Sequence, residues 1–409
     1  MEINAGDTAW VLASAALVML MTPALGLFYG GLVRRKNVLA TIMHSFFILA
    51  LISVLWVLIG YTLAFGPDHF GLIGGLDWVG FHGVGAKPNA DYAPTIPHQA
   101  YAVFQMMFAI ITPALITGSF AERKRFKAFI LFSIVWSLLV YAPVAHWVWA
   151  PGGWLHELGA LDFAGGTVVH ISSGVSALVA ALVLGKRVGF GEEKMDPHDL
   201  PMTVLGAGLL WFGWFGFNAG SALAANGLAV NAFVVTNTAA AMGALTWMTV
   251  SWLRHGHPSV LGAAAGAVAG LVAITPASGY VDPLASIAIG FGAGIICFFA
   301  VDLLKKIAKI DDALDVFAVH GVGGIWGALA TGLFATTAVN DAGKNGLFYG
   351  NPKQLLIQAI AIVAVATFAA AMTWGILKVI GVLVGLRVPE KEEVLGLDTT
   401  QHGEIAYQV

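Results

Sequence analysis

Charged residues and cysteines are scarce in this sequence. Of its 409 residues only 11% are Asp, Glu, Lys or Arg, whereas 58% are hydrophobic and 50 are glycine. That composition leaves too little polar surface to coat a water-soluble globule, so a soluble enzyme is excluded. A net charge of −3 without a separate basic stripe argues against a nucleic-acid partner. Cys297 is the single cysteine, which excludes an internal disulfide and a multi-cysteine metal site.

Long apolar runs recur from one end of the chain to the other. A run of about 20 such residues is enough to cross the hydrocarbon layer as a helix, and only helices or closed barrels can do so. We therefore predict an all-α, multi-pass protein of the cell membrane with eleven transmembrane helices. The predicted spans are 8–31, 39–65, 98–120, 127–149, 164–184, 201–221, 231–253, 259–277, 283–304, 314–335 and 353–384.

Lysine and arginine are distributed unevenly between the loops that join these spans. Nearly all of them fall on one side, in clusters such as 34–36, 123–127, 186–194 and 305–309, while the opposite loops hold only Lys87, Lys344 and Lys353. Cytoplasmic loops carry the excess of positive charge. The pattern predicts an N-terminus outside and a C-terminus inside, which an odd number of spans requires.

An internal repeat connects two of the spans. Asp162 precedes His170 by eight residues, and Asp312 precedes His320 by eight. Because five spans separate the pairs, the two units must cross the membrane in opposite directions, as in many transporters built from inverted repeats. The predicted organisation is repeat one at about 8–184, repeat two at about 201–335, and an eleventh helix at about 353–384.

The two histidines are the candidate functional residues that the repeat itself singles out. Eight helical residues rise about 12 Å, so we expect both imidazoles to reach mid-membrane from opposite faces. A single histidine in an apolar span is a packing residue as often as it is a functional one. Two in equivalent positions favour a shared pathway, where neutral rings can exchange a proton or hydrogen-bond a small solute. The aspartates are predicted to cap their helices rather than to touch the histidines.

Several ordered motifs resemble the ammonium transporter family (Amt/MEP/Rhesus), in particular its microbial Amt members, over essentially the whole chain. The motifs are FQMMFA at 104–109, DFAGGTVVH at 162–170, GFNAGS at 216–221, DVFAVHGVGG at 315–324, GLRVPEKEEVLGLD at 385–398 and HGE at 402–404.

The resemblance implies a role for each matching residue. His170 and His320 correspond to the twin histidines that line a narrow hydrophobic pore, and Phe108 and Phe217 to a stacked phenylalanine gate. Trp149, Phe104, Phe108 and Ser221 correspond to an outer site that recruits ammonium. Asp162, and Asp312 in the second repeat, correspond to structural residues near the site. The resemblance also implies a homotrimer with one pore per subunit, no cofactor and no metal.

The resemblance further implies a regulatory role for the cytoplasmic tail, 385–409, with a PII-type signalling protein as partner at the cytoplasmic face. A frayed, solvated end is the simpler interpretation of so short a segment. The matching motif favours docking on inner loops such as 185–200, whose Lys and Arg content would complement the acidic tail.

Other interpretations stay open from the sequence. Among 25 phenylalanines and 13 tryptophans, each aromatic candidate is by composition alone more often a packing or interfacial residue. The chain could be an ammonium sensor that conducts little. The two histidines could also ligate haem in a membrane electron carrier. An intramembrane hydrolase is disfavoured, because no nucleophile or zinc motif accompanies the histidines.

Overall fold

The computed structural model describes residues 2–407, and helices dominate them. Ten helices in this range are long and apolar enough to cross a membrane. They are α1 (Ala5–Leu32), α2 (Arg35–Phe65), α3 (His98–Phe120), α4 (Phe126–Leu158), α5 (Gly166–Leu184), α6 (Leu200–Ala222), α7 (Gly227–His255), α9 (Pro283–Ile307), α10 (Phe317–Phe334) and α11 (Pro352–Val384). A shorter apolar helix, α8 (Val260–Ile274), has 15 residues.

Each predicted span thus coincides with a helix, with differences at the ends. The predicted segment 259–277 is too long, because α8 ends at Ile274 and is followed by a turn. Helix α4 runs without interruption only to Trp149, and the short segment Trp154–Leu158 follows a break.

Polar side chains mark where several of these helices begin. Asn4, Asp199, Asn226, Ser259 and Asp282 each accept a hydrogen bond from a backbone N–H of the first turn, at α1, α6, α7, α8 and α9 respectively. Such caps satisfy donors that the helix itself leaves without partners. Short polar residues therefore define helix starts that hydropathy alone locates only approximately.

Strands are few and lie together in the connection between α2 and α3. Strand β1 (Asp68–His69) pairs antiparallel with β2 (Ile73–Gly74), and β3 (Pro88–Asn89) with β4 (Ala93–Pro97). In register, Asp68 lies opposite Gly74 and Pro88 opposite Pro97. The backbone of Asn4 donates to Thr95, which ties the start of α1 to the second hairpin.

The buried fraction differs sharply between the helices and indicates which of them lie at the centre of the bundle. In the most apolar window of α3, 89% of the residues are buried, against 33% in α11. The exposed faces of α7, α9 and α11 carry large apolar side chains such as Phe233, Phe291 and Val382. Apolar faces of this size are disfavoured in water and are suited to lipid or to another protein.

A buried ion-pair network joins the loops at the end of the bundle that is rich in Lys and Arg. Arg187 pairs with Glu122 at 3.0 Å and with Asp311 at 2.8 Å, and Arg34 pairs with Glu122 at 2.9 Å. Burial alone would raise the pKa of the Glu122 carboxyl, but the two guanidinium groups outweigh it and hold that pKa below its usual range. Four loops, each between a different pair of helices, are thereby fixed to one another.

The tail after α11 folds back onto this network. It contains a short helix, α12 (Glu390–Leu395), and a helical turn at Asp398–His402. Glu393 accepts from the Val188 backbone at 2.7 Å, and Asp398 accepts from the Ala40 backbone at 2.8 Å.

The tail therefore docks on the loop at 185–200, but not through that loop's Lys and Arg side chains. The Glu393 carboxylate pairs with Arg387 of the tail itself at 2.7 Å. The loop contributes a backbone donor, and Lys36 at the start of α2 donates to the Val394 carbonyl. Side-chain charge complementarity with 185–200 was thus the wrong basis for the predicted contact.

Candidate functional site

The two histidines of the repeat meet at the centre of the bundle. Their Nδ1 atoms are 3.2 Å apart, and the rings lie 5.3 Å apart with an interplanar angle of 19°. Both side chains are buried, His170 at 1% exposure and His320 at 4%. At this distance one Nδ1 donates and the other accepts, so a single hydrogen lies between the two rings.

The start of each pore helix explains how the rings reach this position. Helix α5 begins at Gly166 and α10 at Phe317, and each opens with a wide π-helical turn that contains its histidine. The expectation of eight helical residues between aspartate and histidine was wrong, since the segments before Gly166 and Phe317 are not helical. Each imidazole instead projects from the first turns of its helix.

Both aspartates lie at these helix starts, as expected, but they are bonded differently. The Asp162 carboxylate accepts from the backbone N–H groups of Gly165, Gly166 and Thr167 at 2.6–2.8 Å, and from the Thr167 hydroxyl. Asp312 accepts from the Phe317 N–H at 2.7 Å at the opposite end of the bundle. Neither carboxylate contacts a histidine.

Close approach of the two pore helices depends on glycine. A Cβ atom at Gly174 of α5 would collide with the backbone of Gly321 and lie 3.0 Å from the carbonyl carbon of His320. The small residue lets α5 and α10 cross directly beside the imidazole pair.

A vestibule beside Trp149, which we call the aromatic vestibule, opens on one side of the histidines. It offers about 180 Å³ of free space and is lined by Phe104, Phe108, Trp149 and Ser221, among others. The Trp149 indole donates to the Asp162 carbonyl at 2.9 Å, so the residue that caps α5 also anchors this ring. The Ser221 hydroxyl donates to the Phe217 carbonyl at 2.8 Å. The structure thus brings together all four residues of the predicted recruitment site.

Phe108 and Phe217 close the aromatic vestibule on the side of the histidines. Their ring centroids are 4.4 Å apart, but the planes are inclined by 45°, so the pair is tilted rather than stacked in parallel. Phe217 in turn lies nearly parallel to His170, with the rings 6.0 Å apart. A continuous row of rings therefore leads from Trp149 to His320.

The space between the phenylalanines and His320 is narrow and apolar. The centre of a water-sized molecule has about 10 Å³ available, close to the minimum that admits one such molecule. Apart from the imidazoles, its walls are hydrophobic and aromatic: Met21, Leu25, Phe28, Ile111, Leu115, Val169, Leu210, Trp214, Phe217 and Val268.

A second vestibule, which we call the Asp315 vestibule, begins on the other side of His320. It offers about 220 Å³ of free space and is lined by Tyr29, Ser251, Ser259 and Asp315, among others. A narrow, largely apolar constriction that contains the imidazole pair thus lies between two wide, partly polar cavities.

Among the lining residues that the sequence analysis did not identify, Trp214 and Asp315 carry polar or aromatic groups beside the histidines or in the second vestibule. Trp214 lies 5.5 Å from His170 with the rings nearly parallel, and its indole donates to Thr275. Its position three residues before Phe217 places both on one helix face, a signal that could have been used. Asp315, which lines the second vestibule, appears in the sequence analysis only within the motif at 315–324, and no role was predicted for it.

The same geometry excludes haem between the two histidines. Bis-histidine ligation requires the iron and its macrocycle to lie between the coordinating nitrogens. The Nδ1 atoms are 3.2 Å apart in a space for one small molecule, so the rings leave no room for a porphyrin.

A multi-pass helical bundle with a narrow, apolar passage between two vestibules belongs to the class of membrane transport proteins. The model of the Ammonium Transporter Family matches residues 9–407, and the chain belongs to that family. It is 57% identical to an ammonium transporter of Bacillus subtilis (strain 168) over 98% of both chains.

Solved structures show the same fold. The crystal structure of Saccharomyces cerevisiae Mep2 has a TM-score of 0.91, with 38% identity over 99% of this chain and 92% of that one. A protein described as a sensor Amt protein has a TM-score of 0.89, with 30% identity over 97% of this chain and 98% of that one.

Proposed function

We propose that this protein moves ammonium across the cytoplasmic membrane by recruiting the ion in the aromatic vestibule, removing its proton and passing ammonia along the constriction. The observation that carries the proposal is the order of the parts: an aromatic vestibule, a tilted phenylalanine pair, a narrow apolar passage and two hydrogen-bonded imidazoles. The family membership and the named relatives support the substrate.

The free-energy cost of burying a charge determines where the ammonium ion must lose its proton. A cation–π contact supplies about 0.5–2 kcal/mol, so the faces of Trp149, Phe104 and Phe108 together with the Ser221 hydroxyl can compensate for partial dehydration. Bringing a bare cation to mid-membrane costs several kcal/mol at least. Ammonia carries no charge and is about the size of water, so it fits the constriction at far lower cost.

The imidazole pair offers a separate route for the proton. When one ring donates its Nδ1–H to the other, the donor ring has a bare Nε2 and the acceptor ring carries Nε2–H. A proton taken up at the bare Nε2 moves the shared hydrogen across, and the second ring releases its Nε2 proton. One proton enters and one leaves, and both rings end as neutral tautomers.

We infer the membrane arrangement from the same residues. Counting α8 with the ten longer helices gives eleven spans, and the basic loops then place the C-terminus inside and the aromatic vestibule outside. The equivalent histidines and capping aspartates of α5 and α10 support two inverted five-helix repeats with α11 added. Residues 1–384 form the transporter and 385–409 the regulatory tail.

We also propose a homotrimer with a PII-type partner at the cytoplasmic end. The apolar outer faces of α7 and α9 support burial against lipid and neighbouring subunits. The docked tail supports a regulatory surface, because it hydrogen-bonds to the segments 36–40, 123–126 and 184–188 around the ion-pair network.

Glu393 tests the regulatory role of the tail. Glu393→Gln keeps the side-chain size but removes the charge that holds Arg387, so we expect the tail to loosen and ammonium currents to fall about two- to fivefold. Currents from reconstituted vesicles measure this, with the exposed Glu390→Gln as control. Equal currents in both variants and the parent protein would show that the docked tail does not act on transport.

A sensing role is the second candidate, favoured by the structural similarity to the sensor Amt protein. Current and ammonium flux recorded together in reconstituted vesicles separate the two functions. We expect an ammonium-dependent current with matching flux and none with potassium. Saturable ammonium binding without flux would establish the sensor instead. Uptake of methylammonium by a transport-deficient host provides an independent check.

A further inference from the structure

The Asp315 vestibule contains a carboxylate directly on the path that leaves His320. Among the described residues that line this cavity, Asp315 is the single acidic one, and its neighbours include the hydroxyls of Tyr29, Ser251 and Ser259. Its side chain is 25% exposed, so it faces the cavity without being freely solvated. Ammonia that leaves the constriction and regains a proton is then in the same cavity as this carboxylate.

The backbone at Asp315 is held in a conformation that L-residues seldom adopt. Its φ is +60°, and the equivalent position of the other repeat, three residues after the capping aspartate, is Gly165 with φ +117°. Glycine adopts positive φ at no steric cost, whereas a side chain there carries a free-energy penalty. The first repeat thus has glycine at this position. The second repeat has an aspartate there, and its carboxylate lies beside the vestibule at the start of α10.

The side-chain ammonium group of Lys305 is already bound to this carboxylate. The Lys305 Nζ donates to Asp315 Oδ2 at 2.6 Å, and Lys305 is about one-third exposed. The second oxygen, Oδ1, is buried and accepts no hydrogen bond from residues 2–407. A primary ammonium group has the same charge and the same N–H donors as the ammonium ion, so the pair shows what the carboxylate is shaped to accept.

We propose that the Asp315 carboxylate is a second ammonium-binding site, at the mouth opposite the aromatic vestibule, and that the Lys305 side chain competes with the ion for it. The proposal rests on the proposed function, because it assigns a site to the ion on the far side of the constriction. Mass action then makes Lys305 a tethered competitor: it raises the ammonium concentration needed to occupy the site from that side.

Lys305→Met tests the competition. Ammonium-evoked currents are recorded from right-side-out and inside-out membrane vesicles of the same cells. Removal of the tethered ammonium group should lower the half-saturating concentration about two- to fivefold when ammonium is applied at the Asp315 side. It should leave the value at the aromatic vestibule unchanged. Lys306→Met is the matched control, because Lys306 pairs with Asp302 and does not line the cavity.

Two variants remove the carboxylate itself. Asp315→Asn keeps the shape, and Asp315→Gly installs the residue that the other repeat uses, which suits the positive φ and so protects folding. Either variant should raise the half-saturating concentration on that side only, and adding Lys305→Met to it should then have no further effect.

The outcomes separate this inference from the function on which it rests. If the wild type carries an ammonium current and Lys305→Met leaves the half-saturating ammonium concentration unchanged, the second site is refuted. Ammonium transport as the function is then unaffected. A shift of equal size on both sides would also overturn it, because a local competitor acts on one mouth. Absence of any ammonium current in the wild type would instead contradict the proposed function.

Discussion

Replacing His170 with alanine should reduce the ammonium current at least about 100-fold, the lower range for loss of a positioned proton-transfer group. The substitution removes one of two rings whose Nδ1 atoms share a hydrogen, and with it an Nε2 at which the proposed relay takes up or releases a proton. The phenylalanine pair and the aromatic vestibule lie on other helices, so recruitment of the ion should persist. Current and flux in reconstituted vesicles measure the loss, and thermal unfolding shows whether the bundle is intact.

A double variant sharpens the same prediction. If the rings act as one unit, His170→Ala combined with His320→Ala should be no worse than either single change, because the relay is already broken. Independent packing roles would give losses that multiply. The exposed His82→Ala serves as a control for substitutions of histidine in general. An undiminished electrogenic current in correctly folded His170→Ala would refute the relay.

The spans could be predicted because the membrane imposes a simple rule. Backbone groups within lipid must be satisfied inside the helix, so each crossing needs an uninterrupted apolar run, and such runs are visible in the sequence. The segment at 259–277 shows where that rule fails. The predicted span continued to residue 277, whereas the helix ends at Ile274 in a buried turn, and Pro276 in that turn was a signal that the prediction overlooked.

The residues of the candidate site could be predicted better than their arrangement. The repeat and the motifs identified His170, His320, Phe108, Phe217 and Trp149, and the structure places them in one row. The depth argument nevertheless assumed a regular helix from each aspartate. Periodicity cannot report that 162–165 is an irregular cap, although the two glycines at 165–166 carried that signal, since Gly165 has φ +117°.

Interactions between distant segments were the least predictable part. The Trp149 indole on the Asp162 carbonyl, and the Glu393 carboxylate on the Val188 N–H, join a side chain to a backbone group. Every residue type offers the same backbone donors and acceptors, so the sequence does not mark which of them will be used. Charge patterns therefore suggested the right loop for the tail but the wrong groups within it.

Replacing Asp162 with alanine should abolish transport and destabilise the protein. Its carboxylate accepts three short backbone hydrogen bonds and one from the Thr167 hydroxyl, and a buried donor left without a partner costs about 1–3 kcal/mol. The start of α5 would lose its cap, and His170 in the adjoining turn would lose its fixed position. Asp162→Asn should rescue little, because the amide nitrogen would face N–H groups that need an acceptor.

Asp312 provides the matched control, because it caps the equivalent helix with fewer bonds. One of its oxygens accepts from the Phe317 N–H, while the other accepts no hydrogen bond from residues 2–407. We therefore expect Asp312→Ala to lower the unfolding temperature less than Asp162→Ala in parallel melts of the purified protein, and to retain measurable current. Equal losses in the two variants would mean that the number of bonds at the cap does not set its strength. Normal melting and normal flux in Asp162→Ala would show that α5 holds His170 in place by packing alone.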